Sequence, residues 1–136
     1  MIEAKENFNN TWPFNPNFFS GNGFKQHYVD EGKENNKVIL CLHGEPTWGY
    51  IYRHFIKELS KNFRVVVPDL MGFGKSETPK NKEYSLKTHV ENLENLVKYL
   101  ELKNIYFVGQ DWGGPILGAC TLRNFCLLYT SDAADE

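Results

Sequence analysis

The sequence predicts an α/β domain with a mostly parallel β-sheet and flanking helices. Short apolar runs rich in β-branched residues alternate with segments whose apolar residues recur at helical spacing. The run Val38 to Leu42 is continuously apolar, which indicates a strand buried on both faces. In such sheets ligands collect beyond the carboxyl ends of the strands. We therefore expect functional residues in three loops that follow strands: His43 to Gly49, Asp69 to Pro79 and Gly109 to Gly114.

The elements follow one another as this fold class requires. Strands are predicted at Phe24 to Asp30, Val38 to Leu42, Val65 to Val67 and Ile105 to Val108. Residues Phe8 to Phe18, rich in Asn, Pro and aromatic residues, are expected to form an irregular segment packed on the surface.

Three helices are predicted between and after these strands. The first spans Tyr50 to Ser60, with Tyr52, Phe55, Ile56 and Leu59 on one face. Ser85 is a candidate cap for the second, whose apolar stripe is Leu86, Val90, Leu93, Val97 and Leu100. The third spans Trp112 to Thr121, with Pro115 in its first turn.

Composition narrows the range of partners. The chain of 136 residues has 15 Lys and Arg against 17 Asp and Glu, so its net charge of −2 argues against nucleic acid and favours a small-molecule partner. No run approaches the ~20 apolar residues of a membrane span, and the charged start resembles no signal peptide, so we expect a cytoplasmic protein. Cys41, Cys120 and Cys126 lack metal-binding spacing and are interpreted as core thiols; we expect no metal and no cofactor.

The stretch Gly109-Gln110-Asp111-Trp112-Gly113 fits a strand-to-helix elbow that presents its central side chain as a nucleophile. The usual pattern has Ser where this chain has Asp111. Gly109 and Gly113 are expected because the backbone folds so closely there that a Cβ atom would collide. The alternative is that Asp111 only caps the following helix.

The segment His43-Gly44-Glu45-Pro46, directly after a buried strand, favours the nucleophile interpretation. An oxyanion hole needs a second backbone N–H from such a loop, and here the two donors would be Glu45 and Trp112. His43 is interpreted as a loop organiser. The Trp112 side chain either packs or holds a departing anion such as halide.

A nucleotide site is not expected. Gly74-Lys75-Ser76 invites comparison with a phosphate-binding loop, but the first glycine of that motif would fall at Asp69, and no apolar helix follows directly.

The segments HGEPTWGYIYR, PDLMGFGKSETP and VGQDWGGPILG, in this order and spacing, resemble the haloalkane dehalogenases of the α/β-hydrolase superfamily. The match runs from about Gly21 to Ala119. The resemblance implies that Asp111 displaces halide from an sp³ carbon to form an alkyl ester, that Trp112 binds the halide, and that the N–H groups of Glu45 and Trp112 line the oxyanion hole. An Asp needs no base for this attack because it is ionised near pH 7.

The resemblance also implies a helical cap, an acidic residue and a histidine far downstream of the elbow. We therefore expect residues 1–125 to be a truncated α/β-hydrolase domain, the N-terminal half of the fold without the cap and the C-terminal half, and not to turn over substrate. Residues 126–136 resemble a translated sequencing-library adapter and are interpreted as a non-native tail.

Several functions share these motifs. Epoxide hydrolases also use an Asp nucleophile in such an elbow, and β-lactone decarboxylases are built on the same motifs. The partner implied is thus a small apolar halogenated or epoxide substrate. A non-catalytic binding domain with the same fold is an alternative from another class.

Overall fold

In a computed structural model of the chain, residues 1–124 are described. The predicted tail, residues 126–136, and Cys126 lie outside them. The strands are β1 (Asn17–Phe19), β2 (Gln26–Glu31), β3 (Val38–Leu42), β4 (Arg64–Pro68) and β5 (Ile105–Gly109). The helices are α1 (Arg53–Leu59), α2 (Leu86–Tyr99) and α3 (Gly113–Arg123), and a 3₁₀ turn, Gly49–Tyr52, precedes α1.

The five strands form one sheet in the order β1-β2-β4-β3-β5. β4 lies at its centre; β3 pairs in parallel with β4 and β5, whereas β2 is antiparallel to both β4 and β1. The α/β class and the four predicted strands are confirmed, and the sheet is mixed, with its parallel part formed by β4, β3 and β5. The sequence did not predict β1, because three residues are too short for a periodic pattern.

Each face of the sheet is covered by a different apolar layer. On one face α2 and α3 pack, through residues that include Val90, Leu93, Leu96, Ile116 and Leu117. On the other face lie α1 and the N-terminal segment, whose Trp12 is buried beside Ile56 and Trp48. β3 therefore contributes alternate side chains to both layers, which explains its unbroken apolar run.

The helices agree with the sequence in most respects. Ser85 caps α2, since its Oγ accepts a hydrogen bond from the Thr88 N–H at 3.2 Å. Two predicted stripe residues are exposed instead of buried: Phe55 is 46% exposed and Leu86 is 44% exposed. Leu86 lies in the first turn of α2, which extends past the core, and Leu96 is buried instead.

Cys41 and Cys120 are buried and unpaired, as expected of core thiols. Burial raises the pKa of Cys41 to about 12 and that of Cys120 to about 11. Among residues 1–124, no helix is long and apolar enough to cross a membrane.

Candidate active site

The chain reverses sharply between β5 and α3, and Asp111 lies at the tip of this turn. Asp111 has φ of 53°, a left-handed conformation that is uncommon for residues other than glycine. A Cβ atom on Gly109 would lie 2.9 Å from the Gly114 nitrogen, and one on Gly113 would overlap the Leu42 carbonyl oxygen. Gly109 is thus required because the backbone of α3 passes close to it, and Gly113 is required because it lies against the end of β3.

The Asp111 carboxylate is held by the loop that follows β3. Its Oδ2 atom accepts a hydrogen bond from the Glu45 backbone N–H at 2.9 Å. The N–H groups of Glu45 and Trp112 lower the pKa of Asp111 below its ordinary value, because they stabilise the charged form. The other oxygen, Oδ1, makes no hydrogen bond with residues 1–124. The carboxylate is therefore ionised and has one oxygen free to react.

Asp111 does not act as a side-chain cap for α3. The residue at the N-cap position is Trp112, and α3 begins at Gly113 without any side-chain cap. The structure therefore shows no side-chain capping of α3 by Asp111, and the nucleophile interpretation stays a prediction. The Asp111 carboxylate is hydrogen-bonded to the Glu45 loop.

Gly44 brings the Glu45 loop against the elbow. A Cβ atom on Gly44 would lie 2.5 Å from both the Asp111 side chain and the Trp112 nitrogen. Gln110 fixes the same loop, because its Oε1 accepts hydrogen bonds from the Gly44 N–H and the Thr47 hydroxyl, both at 3.2 Å. Sequence reasoning assigned no role to Gln110 or Thr47, since neither residue type has a distinctive spacing here.

His43 is buried beneath the site and ties two loops together. Its Nε2 accepts a hydrogen bond from the Leu70 N–H at 2.9 Å, so its Nδ1 carries the proton and donates to the Gly44 carbonyl at 2.8 Å. Burial lowers the pKa of His43, so the imidazole is neutral. With both ring nitrogens engaged, His43 organises the loops and has no free nitrogen to act as a base.

Asp69, which sequence reasoning treated only as part of a loop, is the centre of a buried network. Its carboxylate accepts hydrogen bonds from the backbone N–H groups of Gly49 and Lys75, and it lies 2.8 Å from His27 Nδ1. The Lys75 ammonium donates to the carbonyls of Ala4 and Glu6 at 2.7 and 2.6 Å. Since Lys75 is buried and bonded in this way, it cannot serve as the lysine of a phosphate-binding loop.

A cleft of about 470 Å³ opens beside the elbow. Its walls are mostly apolar, with Leu70, Phe73, Leu86, Trp112 and Ile116. The Trp112 side chain is 50% exposed and lines this cleft. An apolar pocket with a few convergent polar groups is the common form of a small-molecule site.

The structure thus brings together the residues that the sequence singled out. Asp111, the Glu45 and Trp112 N–H groups and the close-approach glycines Gly44, Gly109 and Gly113 form one constellation, with His43 beneath it. Within the described part of the chain, no group of three or more His, Cys, Asp or Glu side chains could hold a metal ion.

The chain belongs to the α/β-hydrolase fold family, whose model matches residues 37–124. Within that family its sequence is 42% identical over 105 residues to haloalkane dehalogenase 2 of Mycobacterium bovis, covering 77% of this chain and 36% of that protein. The structure of a haloalkane dehalogenase from Paraglaciecola agarilytica superposes with a TM-score of 0.79 at 40% identity, covering 83% of this chain and 40% of that one. The resemblance to haloalkane dehalogenases is confirmed.

Related activities also occur among the similar proteins. A cis-3-alkyl-4-alkyloxetan-2-one decarboxylase of Shewanella oneidensis is 38% identical over 107 residues, covering 76% of this chain and 33% of that protein. An epoxide hydrolase of Vigna radiata superposes with a TM-score of 0.76 at 30% identity, covering 85% of this chain and 38% of that one. The chain therefore spans two fifths or less of the length of these relatives.

Proposed function

We propose that this chain is the nucleophile-bearing part of a haloalkane dehalogenase-like hydrolase, with Asp111 as the nucleophile. The observation that carries the proposal is the Asp111 carboxylate itself. One oxygen is held by the Glu45 N–H, the other is free, and the cleft beside it is apolar. Such a carboxylate suits attack on an uncharged carbon and needs no general base.

The proposed first step is a displacement at an sp³ carbon. The Asp111 Oδ1 atom forms a bond to that carbon, and the carbon–halogen bond breaks with its electron pair leaving on the halide. The Trp112 indole lines the cleft, and its N–H is the proposed donor to the departing anion. The product is an alkyl ester of Asp111 and a free halide ion.

The backbone N–H groups would matter most in the second step. In the ester, Oδ2 becomes the carbonyl oxygen, beside the Glu45 N–H that it already contacts. Attack of water at the ester carbon would place negative charge on this oxygen, where the two N–H donors stabilise it. That attack also needs a base to take a proton from the water. The resemblance implies that the histidine serving as this base lies far downstream of the elbow, and His43 has both ring nitrogens engaged.

We therefore propose that the 136-residue chain forms the ester and stops there. Incubation with a terminal bromoalkane should add one alkyl group, located on Asp111 by tandem mass spectrometry, with one equivalent of bromide released. Asp111→Asn should abolish the adduct, because an amide is a poor nucleophile. Glu58→Gln, which removes an exposed carboxylate on α1, is the matched control. Alkylation that is equal in Asp111→Asn would refute the proposal, and steady multiple-turnover bromide release would refute the arrest at the ester.

Epoxide hydrolysis is the second candidate, favoured by the structural similarity to the Vigna radiata epoxide hydrolase. It would use the same Asp111 attack, with the opened epoxide oxygen in place of the leaving halide. The similarity to the Shewanella oneidensis protein keeps β-lactone decarboxylation as a further alternative. Parallel labelling with an alkyl bromide and a terminal epoxide of equal length would separate halide displacement from epoxide opening. If neither compound labels Asp111, a non-catalytic binding domain becomes the better interpretation.

A further inference from the structure

The cleft beside Asp111 contains few polar side chains that are free to contact a ligand. The Tyr84 hydroxyl donates to the Pro79 carbonyl at 2.8 Å. The Ser85 hydroxyl accepts from the Thr88 N–H and lies 3.0 Å from the Thr88 hydroxyl. Both groups are therefore committed to the fold. Among the more buried residues of the lining, His89 is the remaining hydrogen-bonding side chain.

His89 belongs to α2, and its imidazole has no hydrogen-bond partner among residues 1–124. Its Nδ1 atom is buried without a partner, and the side chain lines the cleft. The Tyr84 ring packs edge-on against the imidazole, with ring centroids 6.5 Å apart. An imidazole that lines an apolar cleft and makes no hydrogen bond within the fold is available to bond a polar atom of a ligand.

The surroundings define which polar atom would fit. Burial lowers the pKa of His89, although the nearby Glu45 charge partly opposes this effect. The imidazole is then neutral, and the Glu45 carboxylate disfavours an anionic ligand beside it. The apolar wall disfavours any charged group that must lose its water. A hydroxyl is uncharged and can both donate and accept, so it suits either tautomer of the ring.

We propose that His89 is a specificity residue that contacts an uncharged hydroxyl of the substrate, so that the cleft prefers haloalcohols over simple haloalkanes. The inference rests on the proposed function, because the same site performs the displacement at Asp111. His89 would give the substrate a contact with α2, in addition to the contacts with the elbow and the Glu45 loop.

Competition labelling of the whole chain tests this proposal. A terminal bromohexanol and the terminal bromoheptane of the same size differ only in a hydroxyl and a methyl group. The rate of Asp111 labelling should be about fivefold to tenfold higher for the alcohol, as expected for one net hydrogen bond. Bromohexanoate should be the slowest of the three, because its carboxylate meets Glu45.

Three variants assign the preference to His89. His89→Leu should bring the ratio of alcohol to alkane labelling close to one, and His89→Gln, which keeps a donor and an acceptor, should restore part of it. His54→Leu, at an exposed histidine of α1, should keep the wild-type ratio. A ratio near one in the wild-type chain, or a ratio that His89→Leu does not change, would overturn the inference and leave the proposed function standing.

A binding measurement separates the two proposals if Asp111 is not alkylated at all. The His89 ring resonances, identified by their loss in His89→Leu, should shift on titration with unreactive hexanol. The shift should persist in Asp111→Asn, which cannot react. Absence of any hexanol-dependent shift would overturn the inference, whatever the fate of the nucleophile.

Discussion

The Oδ2 atom of Asp111 lies 2.9 Å from the backbone nitrogen of Glu45, although the two residues are 66 positions apart. The contact exists because β3 and β5 are parallel neighbours, with Leu42 opposite Gly109 at their carboxyl ends. The loop after one strand therefore meets the turn after the other.

Gly44→Ala should impair the site more than the fold. The new Cβ atom would lie 2.5 Å from the Asp111 side chain and the Trp112 nitrogen, so the loop must withdraw from the carboxylate. We expect alkylation of Asp111 to slow by about a hundredfold, the typical effect of a small misplacement of reacting groups. Gly114→Ala, with nothing within 4 Å of its new Cβ atom, is the control and should react normally. Equal rates in the two variants would contradict the proposed geometry.

Gln110→Leu should destabilise the chain by about 1–3 kcal/mol, because the buried Gly44 N–H loses its acceptor. Thr47→Val removes only one of the two donors to Gln110 and should cost less, about 1 kcal/mol. Urea unfolding at a fixed pH measures both. If Gln110→Leu is as stable as the wild-type chain, the amide does not fix the loop.

The rate of Asp111 alkylation should be nearly independent of pH between about pH 5 and pH 8. The N–H groups of Glu45 and Trp112 hold the pKa of Asp111 below its ordinary value of about 3.9. The carboxylate is thus already ionised throughout this range, and the rate falls only in more acidic solution. Intact-mass kinetics across the range provide the measurement, and a rate that rises steeply between pH 6 and about pH 8 would indicate that a base assists the attack.

Stability should fall as the pH drops below about 6.5, the ordinary histidine pKa. Burial lowers the pKa of His43 in the folded chain. Just below the ordinary pKa, the imidazole is therefore protonated in the unfolded chain and still neutral in the folded chain, so acid favours unfolding. The contribution of the neutral His43 to the free energy of unfolding is complete above the histidine pKa of the unfolded chain. Below that pKa it decreases by up to about 1.4 kcal/mol per pH unit. Burial lowers the pKa of His89 in the same direction.

The contribution of His43 to this loss of stability at acidic pH can be measured by urea unfolding at several pH values, in the wild-type chain and in His43→Gln. The variant should be less stable near neutral pH and should show a shallower pH dependence. An unchanged slope in His43→Gln would show that other groups cause the acid sensitivity.

Lys75→Met should release the N-terminal segment. The ammonium of Lys75 donates to the Ala4 and Glu6 carbonyls, and its loss leaves both without a donor. We expect a loss of about 2 kcal/mol, typical of charged hydrogen bonds, and faster hydrogen exchange in residues 1–8. Lys80→Met, at an exposed lysine, is the control. Protection of residues 1–8 that equals the wild-type level would contradict this role for Lys75.

The sequence predicted the parts of the fold that have a periodic pattern. The run Val38 to Leu42, the Ser85 cap and the stripe of α2 are visible in it because each reflects which face of an element is buried. Strand direction is less visible. The antiparallel edge formed by β1 and β2 depends on pairing partners, which an apolar pattern does not specify, and β1 is only three residues long.

The site divides in the same way. By itself the sequence determined which residue is the candidate nucleophile, because the glycine spacing around Asp111 reports a local backbone turn. Only the tertiary structure decided that Gln110 and Thr47 fix the loop and that Asp69 anchors the network below it. It also decided that Leu86 faces the cleft instead of the core, and that His89 lines the same cleft. These contacts join residues that are distant in the chain, so they follow from strand order and helix placement, which local spacing does not encode.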